Sequence, residues 1–173
     1  FEASLTDAQK AAQDIGYIQQ LISFSQLGLP WNLDAWDGFP AARDRLYASA
    51  ADAGARLVTL TGDTHTAWAN TLVDANDDQR GVEFGCTSVT SPGFGLYMKE
   101  VPDIGAQFAD ANREVEFHDP HGNGWMLITL TTDQARADFR KVTDVTAETF
   151  SVSDVAAYVT RRSGTGMTPL SPA

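Results

Sequence analysis

The stretch Arg56-Leu57-Val58-Thr59-Leu60-Thr61-Gly62-Asp63-Thr64-His65-Thr66-Ala67-Trp68 passes from a short apolar run into a polar loop. Its aliphatic and β-branched residues, 57–60, predict a short buried strand. Gly62 ends the run, and Asp63 and His65 follow at the carboxyl end of that strand, the edge at which open α/β sheets place their ligands. A carboxylate and an imidazole joined by a tight loop can face one point, and both are common metal ligands. The pattern indicates a metal site, and it leaves open the alternative that Asp63 caps a turn and His65 is an ordinary loop residue.

The composition limits the class of protein. The 173 residues suffice for one domain or a large part of one, and 43% hydrophobic residues suffice for a core. The net charge of -11 argues against nucleic acid or an anionic membrane as the main partner. No apolar run approaches the roughly 20 residues that a membrane-spanning helix needs. Because the chain begins at Phe1, without Met or a signal segment, we expect it to be part of a longer protein.

Helices and a strand alternate in the first third of the chain. A capping box, Thr6-Asp7-Ala8-Gln9, precedes apolar residues at helical spacing and predicts an amphipathic helix over residues 7–26. A turn-rich loop, 31–40, leads to a second helix that Gly54 ends. A helix followed by the strand at 57–60 is typical of an α/β unit, so we expect an α/β fold.

The rest of the chain is predicted to consist mainly of strands joined by polar turns. Strands are predicted at 67–73, 82–88 and 125–130, followed by an antiparallel pair at 137–145 and 149–160. The acidic segment 74–81 lacks the ligand spacing and terminal Glu of an EF-hand, which favours a solvated hairpin loop over a calcium site. The Ser/Thr/Pro/Gly segment 88–93 either lies near the candidate metal site or closes the sheet.

Three further segments carry weaker patterns. The segment His118-Asp119-Pro120-His121 is a second candidate metal cluster, but its proline and the glycines after it favour a solvent-facing turn. Residues 94–111 show no clear period. Residues 161–173 are rich in Gly, Pro, Ser and Thr, and we expect a tail, loose or ordered on contact, after a domain that spans residues 1–160.

Several segments resemble, in the same order along the chain, the carboxyl-terminal half of the PhoD-like alkaline phosphatases, the alkaline phosphatase D family. The matching segments span most of residues 32–145 and are NLDAWDGFPAAR (32–43), LTGDTHTAWA (60–69), VEF (82–84), TSVTSPG (87–93), NREVEFHDPHGNGW (112–125) and LITLT (127–131). No single segment is decisive, whereas the ordered set is specific. The resemblance implies mixed sheets packed face to face and flanked by helices, the carboxyl-terminal half of a metallophosphoesterase-like αββα sandwich.

The resemblance also implies a function. Family members are typically exported enzymes that hydrolyse phosphate monoesters and diesters with two clustered metals, iron with calcium in some and other divalent ions in relatives. It implies that Asp63 binds one ion and His65 the other, and that a hydroxide activated by the two metals attacks phosphorus. As a ligand, the His65 imidazole would be neutral, and its other nitrogen would need a hydrogen-bond acceptor. Trp36 and Trp68 are candidate walls of the substrate pocket, and packing in the core is the alternative for both.

Two departures from the family pattern limit the expected activity. The family's amino-terminal half supplies an Asp, a bridging Asp, an Asn-containing segment and often a Cys or Tyr ligand, and none of that half is in this sequence. Cys86 follows the central motif, so we do not equate it with that Cys, and Phe39 stands where many relatives have Tyr. We therefore expect the missing half and a phosphate ester as partners, and a chain that alone is weakly metal-binding and inactive. The alternatives are a non-catalytic or degenerate binding domain of the same fold, and a chain that pairs with a separate polypeptide carrying the first half.

Overall fold

A computed structural model describes Leu27, residues 32–98 and residues 103–173, with the backbone alone described for Tyr97. The chain divides into two compact units, Phe1–Leu46 and Tyr47–Ala173. The helix predicted over residues 7–26 lies outside the described residues. The described part of the first unit contains a short 3-10 helix, Trp36–Gly38, and the beginning of a longer helix.

That longer helix, α1, spans Pro40–Asp52 and continues into the second unit. Proline suits the first helical position because its φ is already helical and its missing N–H is not needed there. The helix ends before Gly54, which has a φ of +61°, and the N–H of Ala55 donates to the carbonyl of Ala50 at 2.9 Å. A left-handed glycine at this place is a common helix terminator, so the predicted end of the helix is confirmed.

The first sheet has four strands. They are β1 (Leu57–Thr61), β2 (Ala67–Val73), β3 (Gln79–Gly85) and β4 (Val115–Asp119), in the spatial order β1-β3-β2-β4. β1 runs parallel to β3, and the other pairs are antiparallel, so the sheet is mixed. The predicted hairpin loop is confirmed, because residues 74–78 join the antiparallel strands β2 and β3. A 3-10 helix, Phe94–Met98, and a short helix α2, Ile104–Ala111, lie between β3 and β4 along the chain.

The second sheet is antiparallel throughout. Its strands are β5 (Gly124–Leu130), β6 (Gln134–Val142), β7 (Val152–Ser163), β8 (Gly166–Met167) and β9 (Ser171–Pro172). The spatial order is β5-β6-β7-β8, and β9 also pairs with β7. Residues 161–173 thus include the end of β7 and two short strands, and Leu170 is buried. The structure shows these residues ordered, because the N–H groups of Thr168 and Ala173 donate to carbonyls of β7, while the division into a domain of residues 1–160 and a tail stays a prediction.

One hydrophobic cluster contains side chains of both sheets. Residues of β6 alternate between buried and partly exposed, as expected for a strand with one face on the core. The buried members of the cluster are Ala67, Ala69, Val82 and Phe84 from the first sheet, Ala135, Ala137 and Phe139 from the second, and Leu170. The expected mixed α/β class is confirmed, while the αββα layering of the whole domain stays a prediction.

Candidate metal centre

The loop between β1 and β2 places the Asp-x-His pair in an unusual backbone conformation. Asp63 has a φ of +69° and His65 a φ of +58°, values that side-chain-bearing residues rarely adopt. Each costs of the order of 1–3 kcal/mol, and such residues cluster at functional sites. The N–H of Thr64 donates to the carbonyl of Gly62 at 2.8 Å, which closes a three-residue turn around Asp63. The strain therefore falls on the two candidate ligands themselves.

Gly62 ends the apolar run, but the structure does not require a glycine at this position. Its φ is not positive, and a Cβ added to it would meet nothing within 4 Å. The turn therefore needs a glycine at this position neither for conformational freedom nor for space.

The imidazole of His65 has a fixed tautomer. Its Nδ1 lies 3.1 Å from the carbonyl oxygen of Pro92, and because a carbonyl only accepts, Nδ1 carries the proton. In the neutral form of the ring, Nε2 is then the nitrogen without a hydrogen, and the ring is exposed to solvent. A metal-binding histidine has the same arrangement, with one nitrogen donating to an acceptor and the other free for the ion. The hydrogen-bond acceptor expected for His65 is present.

The segment that supplies this acceptor is itself held in place. The side-chain amide of Asn123 donates to the carbonyl of Ser91 at 2.8 Å and to Ser88 Oγ at 2.9 Å. A Cβ added to Gly93 would stand 2.6 Å from the carbonyl oxygen of His65, so only glycine allows this approach. Two alternatives were open for segment 88–93: it lies near the candidate metal site, or it closes the sheet. In the structure it lies against His65.

Trp68 also makes hydrogen bonds to the loop. Its indole N–H donates to Thr66 Oγ1 at 2.7 Å, and Thr64 Oγ1 lies 3.2 Å away. The ring stacks on His118 with centroids 3.5 Å apart and an interplanar angle of 19°, and the edge of Phe108 contacts it at 6.0 Å. These contacts are those of a packed side chain, and the substrate-wall role of Trp68 stays a prediction.

His118 is a buried strand residue rather than part of a turn. It lies in β4 with 6% of its surface exposed, and its Nδ1 is 3.0 Å from the carbonyl oxygen of Ala67. Burial lowers its pKa to about 4, against the opposing effects of that hydrogen bond and of the Asp119 charge. The ring is therefore neutral at physiological pH.

The rest of the second candidate cluster does form a turn. Asp119 Oδ1 accepts hydrogen bonds from the backbone N–H groups of His121 and Gly122 at 2.9 and 3.1 Å. In the part of the chain that the structure describes, no group of three or more His, Cys, Asp or Glu side chains is arranged to hold a metal. The expected solvent-facing turn is confirmed at His121, which is exposed. It is wrong for His118 and Asp119, which belong to β4, and for Pro120, which is buried.

Among the described residues, the loop between β1 and β2 offers two candidate donors to a metal, the exposed Asp63 carboxylate and Nε2 of His65. A carboxylate and an imidazole suit hard and borderline divalent ions. Trp36 belongs to the first unit, where it is 48% exposed in the 3-10 helix. Its predicted contact with substrate stays a prediction.

Fold and loop together define a mixed α/β protein with two sheets and a carboxylate–imidazole pair at the carboxyl end of a strand. The profile of the family described as PhoD-like phosphatase matches residues 3–139. Alkaline phosphatase D of Bacillus subtilis (strain 168) is 32% identical over 146 residues, which are 82% of this chain and 24% of that protein. The chain belongs to the PhoD-like phosphatase family.

A solved structure extends this result to three dimensions. The structure titled "Structure of PhoD" superimposes with a TM-score of 0.62 at 28% identity, over 81% of this chain and 27% of that one. The chain therefore spans about a quarter of the length of each relative that it matches. No helix among the described residues is long and apolar enough to cross a membrane.

Proposed function

We propose that this chain is part of a metal-dependent phosphoric ester hydrolase, in which Asp63 binds one ion of a two-metal centre and His65 the other. The observation that carries the proposal is the hydrogen bond between His65 Nδ1 and the Pro92 carbonyl, which leaves Nε2 free on an exposed ring. Membership of the PhoD-like phosphatase family supports the same reading.

The residues of the chain hold and aim the two donors. Asp63 offers carboxylate oxygens, and the backbone is left-handed at both positions, within the five-residue loop 62–66 that joins β1 to β2. A bound metal pair supplies positive charge to the phosphate oxygens and an acidified water for attack on phosphorus. The carbonyl of Pro92 keeps the His65 proton away from the metal-facing nitrogen.

The remaining ligands are proposed to come from sequence outside this chain. Catalytic metal sites typically use about three protein ligands for each ion, whereas the described residues offer one oxygen donor and one nitrogen donor at the loop. The relatives contain about three further quarters of sequence that this chain does not match. Iron with calcium or other divalent ions, a phosphate mono- or diester substrate, and export from the cell follow from the family resemblance and complete the proposal.

The test is hydrolysis of p-nitrophenyl phosphate and its bis-ester by the full-length protein that contains these residues. We expect Asp63→Asn and His65→Ala each to lower kcat/KM by more than about 100-fold, since loss of even an outer hydrogen-bond partner of a ligand costs about 10–100-fold. The bound metal, measured by elemental analysis, should fall from two ions to one or none.

The matched control for Asp63→Asn is Asp133→Asn, which changes an exposed carboxylate in the turn between β5 and β6. We expect wild-type activity and metal content for this variant. Full activity of the Asp63 and His65 variants would refute the ligand assignment. An inactive wild-type protein that still binds metal would instead favour the non-catalytic alternative.

A further inference from the structure

The loop that carries Asp63 and His65 has a second support besides Pro92. Thr64 and Thr66 flank His65, and their hydroxyl groups lie 3.1 Å apart. The indole N–H of Trp68 reaches both, at 3.2 and 2.7 Å. Because Thr66 is fully buried, this small network ties the exposed ligand loop to the interior.

The orientation of Trp68 depends in turn on His118. The two rings stack almost in parallel, and the residues are directly opposite each other in the pairing of β2 with β4. His118 is fixed by its Nδ1–H, which donates to the carbonyl of Ala67, the residue between Thr66 and Trp68. Phe94 and Phe108 enclose the same imidazole, with centroids 5.3 Å away in both cases.

A histidine at position 118 has a cost in folding free energy that packing alone does not explain. Its Nε2 is buried and has no hydrogen-bond partner among the described residues, and such an orphaned polar atom needs an explanation. A phenylalanine would fill the same aromatic pocket without that cost. A phenylalanine lacks the N–H group that His118 donates to the carbonyl of Ala67. Ala67 is the residue that directly follows the ligand loop.

We propose that His118 is a positioning residue for the Asp63–His65 pair, acting through Trp68 and the two threonine hydroxyls. The inference rests on the proposed function, since it concerns the same metal ligands. His118 does not touch either ligand side chain in the contacts described. It sets the angle of the indole, and the indole holds the loop in the conformation that presents both donors.

The test uses Co²⁺ as probe in the full-length protein, with the dissociation constant and the visible Co²⁺ spectrum as readouts. His118→Phe keeps the ring and removes the donor, and Trp68→Phe keeps an aromatic ring and removes the indole N–H. We expect each to weaken Co²⁺ binding by about 10–100-fold, the range for outer partners of metal ligands. Because both substitutions break the same series of contacts, the double variant should bind Co²⁺ no more weakly than the single variant with the lower Co²⁺ affinity.

Controls separate positioning from general stability. Trp125→Phe changes the same residue type as Trp68→Phe at an exposed position, and it should bind Co²⁺ as the wild type does. His118→Asn keeps a donor near the place of Nδ1 and should recover part of the affinity lost in His118→Phe. It also provides the comparison if circular dichroism shows that His118→Phe is unfolded.

The outcomes distinguish this inference from the proposed function. Wild-type Co²⁺ affinity in folded His118 and Trp68 variants, with loss of binding in Asp63→Asn, overturns the positioning role alone. Independent losses that multiply in the double variant also overturn it, since they exclude a single path. Undiminished binding in Asp63→Asn and His65→Ala overturns the proposed function, and the positioning inference with it.

Discussion

His118 is an imidazole that the fold keeps neutral. Its pKa falls from the ordinary value of 6.5 to about 4, chiefly because burial penalises the charged form. Of the charged groups that face it, Asp119 raises the pKa and His121 lowers it, while its neighbours from β2, the 3-10 helix and α2 are the rings of Trp68, Phe94 and Phe108. Folding therefore excludes a proton that the unfolded chain would bind below neutral pH.

This exclusion predicts an acid-dependent loss of stability. Between pH 6.5 and about 4 the unfolded chain binds a proton at His118 and the folded protein does not, so the free energy of unfolding falls as the pH falls. The loss reaches about 3 kcal/mol near pH 4 and stays constant below both pKa values. Urea unfolding at several pH values should show this slope in the wild type and a smaller slope in His118→Phe. Equal slopes in the two proteins would show that His118 titrates normally.

At the scale of residues, the sequence predicted the candidate ligands Asp63 and His65 but not the contacts that hold them in place. The spacing of Asp63 and His65 after an apolar run was sufficient to single them out. The partner of His65, Pro92, lies 27 residues further along the chain, and no local pattern connects the two. The left-handed conformations were equally hidden, because the adjacent Gly62 is the residue that a sequence pattern assigns to such a turn.

At the scale of elements, predictions succeeded where a strand is long enough to show alternation. β2 was predicted with its observed bounds, and the antiparallel pairing of β6 with β7 was predicted with ends shifted by a few residues. The helix α2 was missed because its eight residues give barely two turns, too few for a clear period. β8 and β9 have two residues each, and their composition resembles that of a loop.

The burial of Leu170, close to the carboxyl terminus, leads to a testable prediction. Leu170 is 5% exposed, and its N–H donates to Thr71 Oγ1 of β2 at 3.2 Å. We expect Leu170→Ala to lower the free energy of unfolding by about 2–5 kcal/mol, the range for a buried leucine. Leu130→Ala is the matched control, because Leu130 is 62% exposed and its loss should cost less than about 0.5 kcal/mol. Similar small effects in both variants would mean that residues 164–173 are not part of the folded sheet.

At the scale of the whole molecule, the hydrophobic core and the candidate metal ligands are distributed differently. Both sheets contribute to one buried cluster, so folding has a driving force within these residues. The candidate metal ligands are two donors on a single loop, with no further cluster in the described ranges. On the proposed function, we therefore expect folding and catalysis to need different lengths of polypeptide.

This separation predicts a folded but inactive protein when residues 1–173 are produced alone. We expect a cooperative unfolding transition, Co²⁺ binding at least about 10-fold weaker than in the full-length protein, and p-nitrophenyl phosphate hydrolysis equal to that of the same chain carrying Asp63→Asn. Elemental analysis of the isolated chain should give less than one ion per molecule, whereas the full-length protein should carry two. Activity of the isolated chain that Asp63→Asn abolishes would contradict this, because it would require the missing ligands to lie within these residues, and the ranges 1–26, 28–31 and 99–102 would be where to look for them.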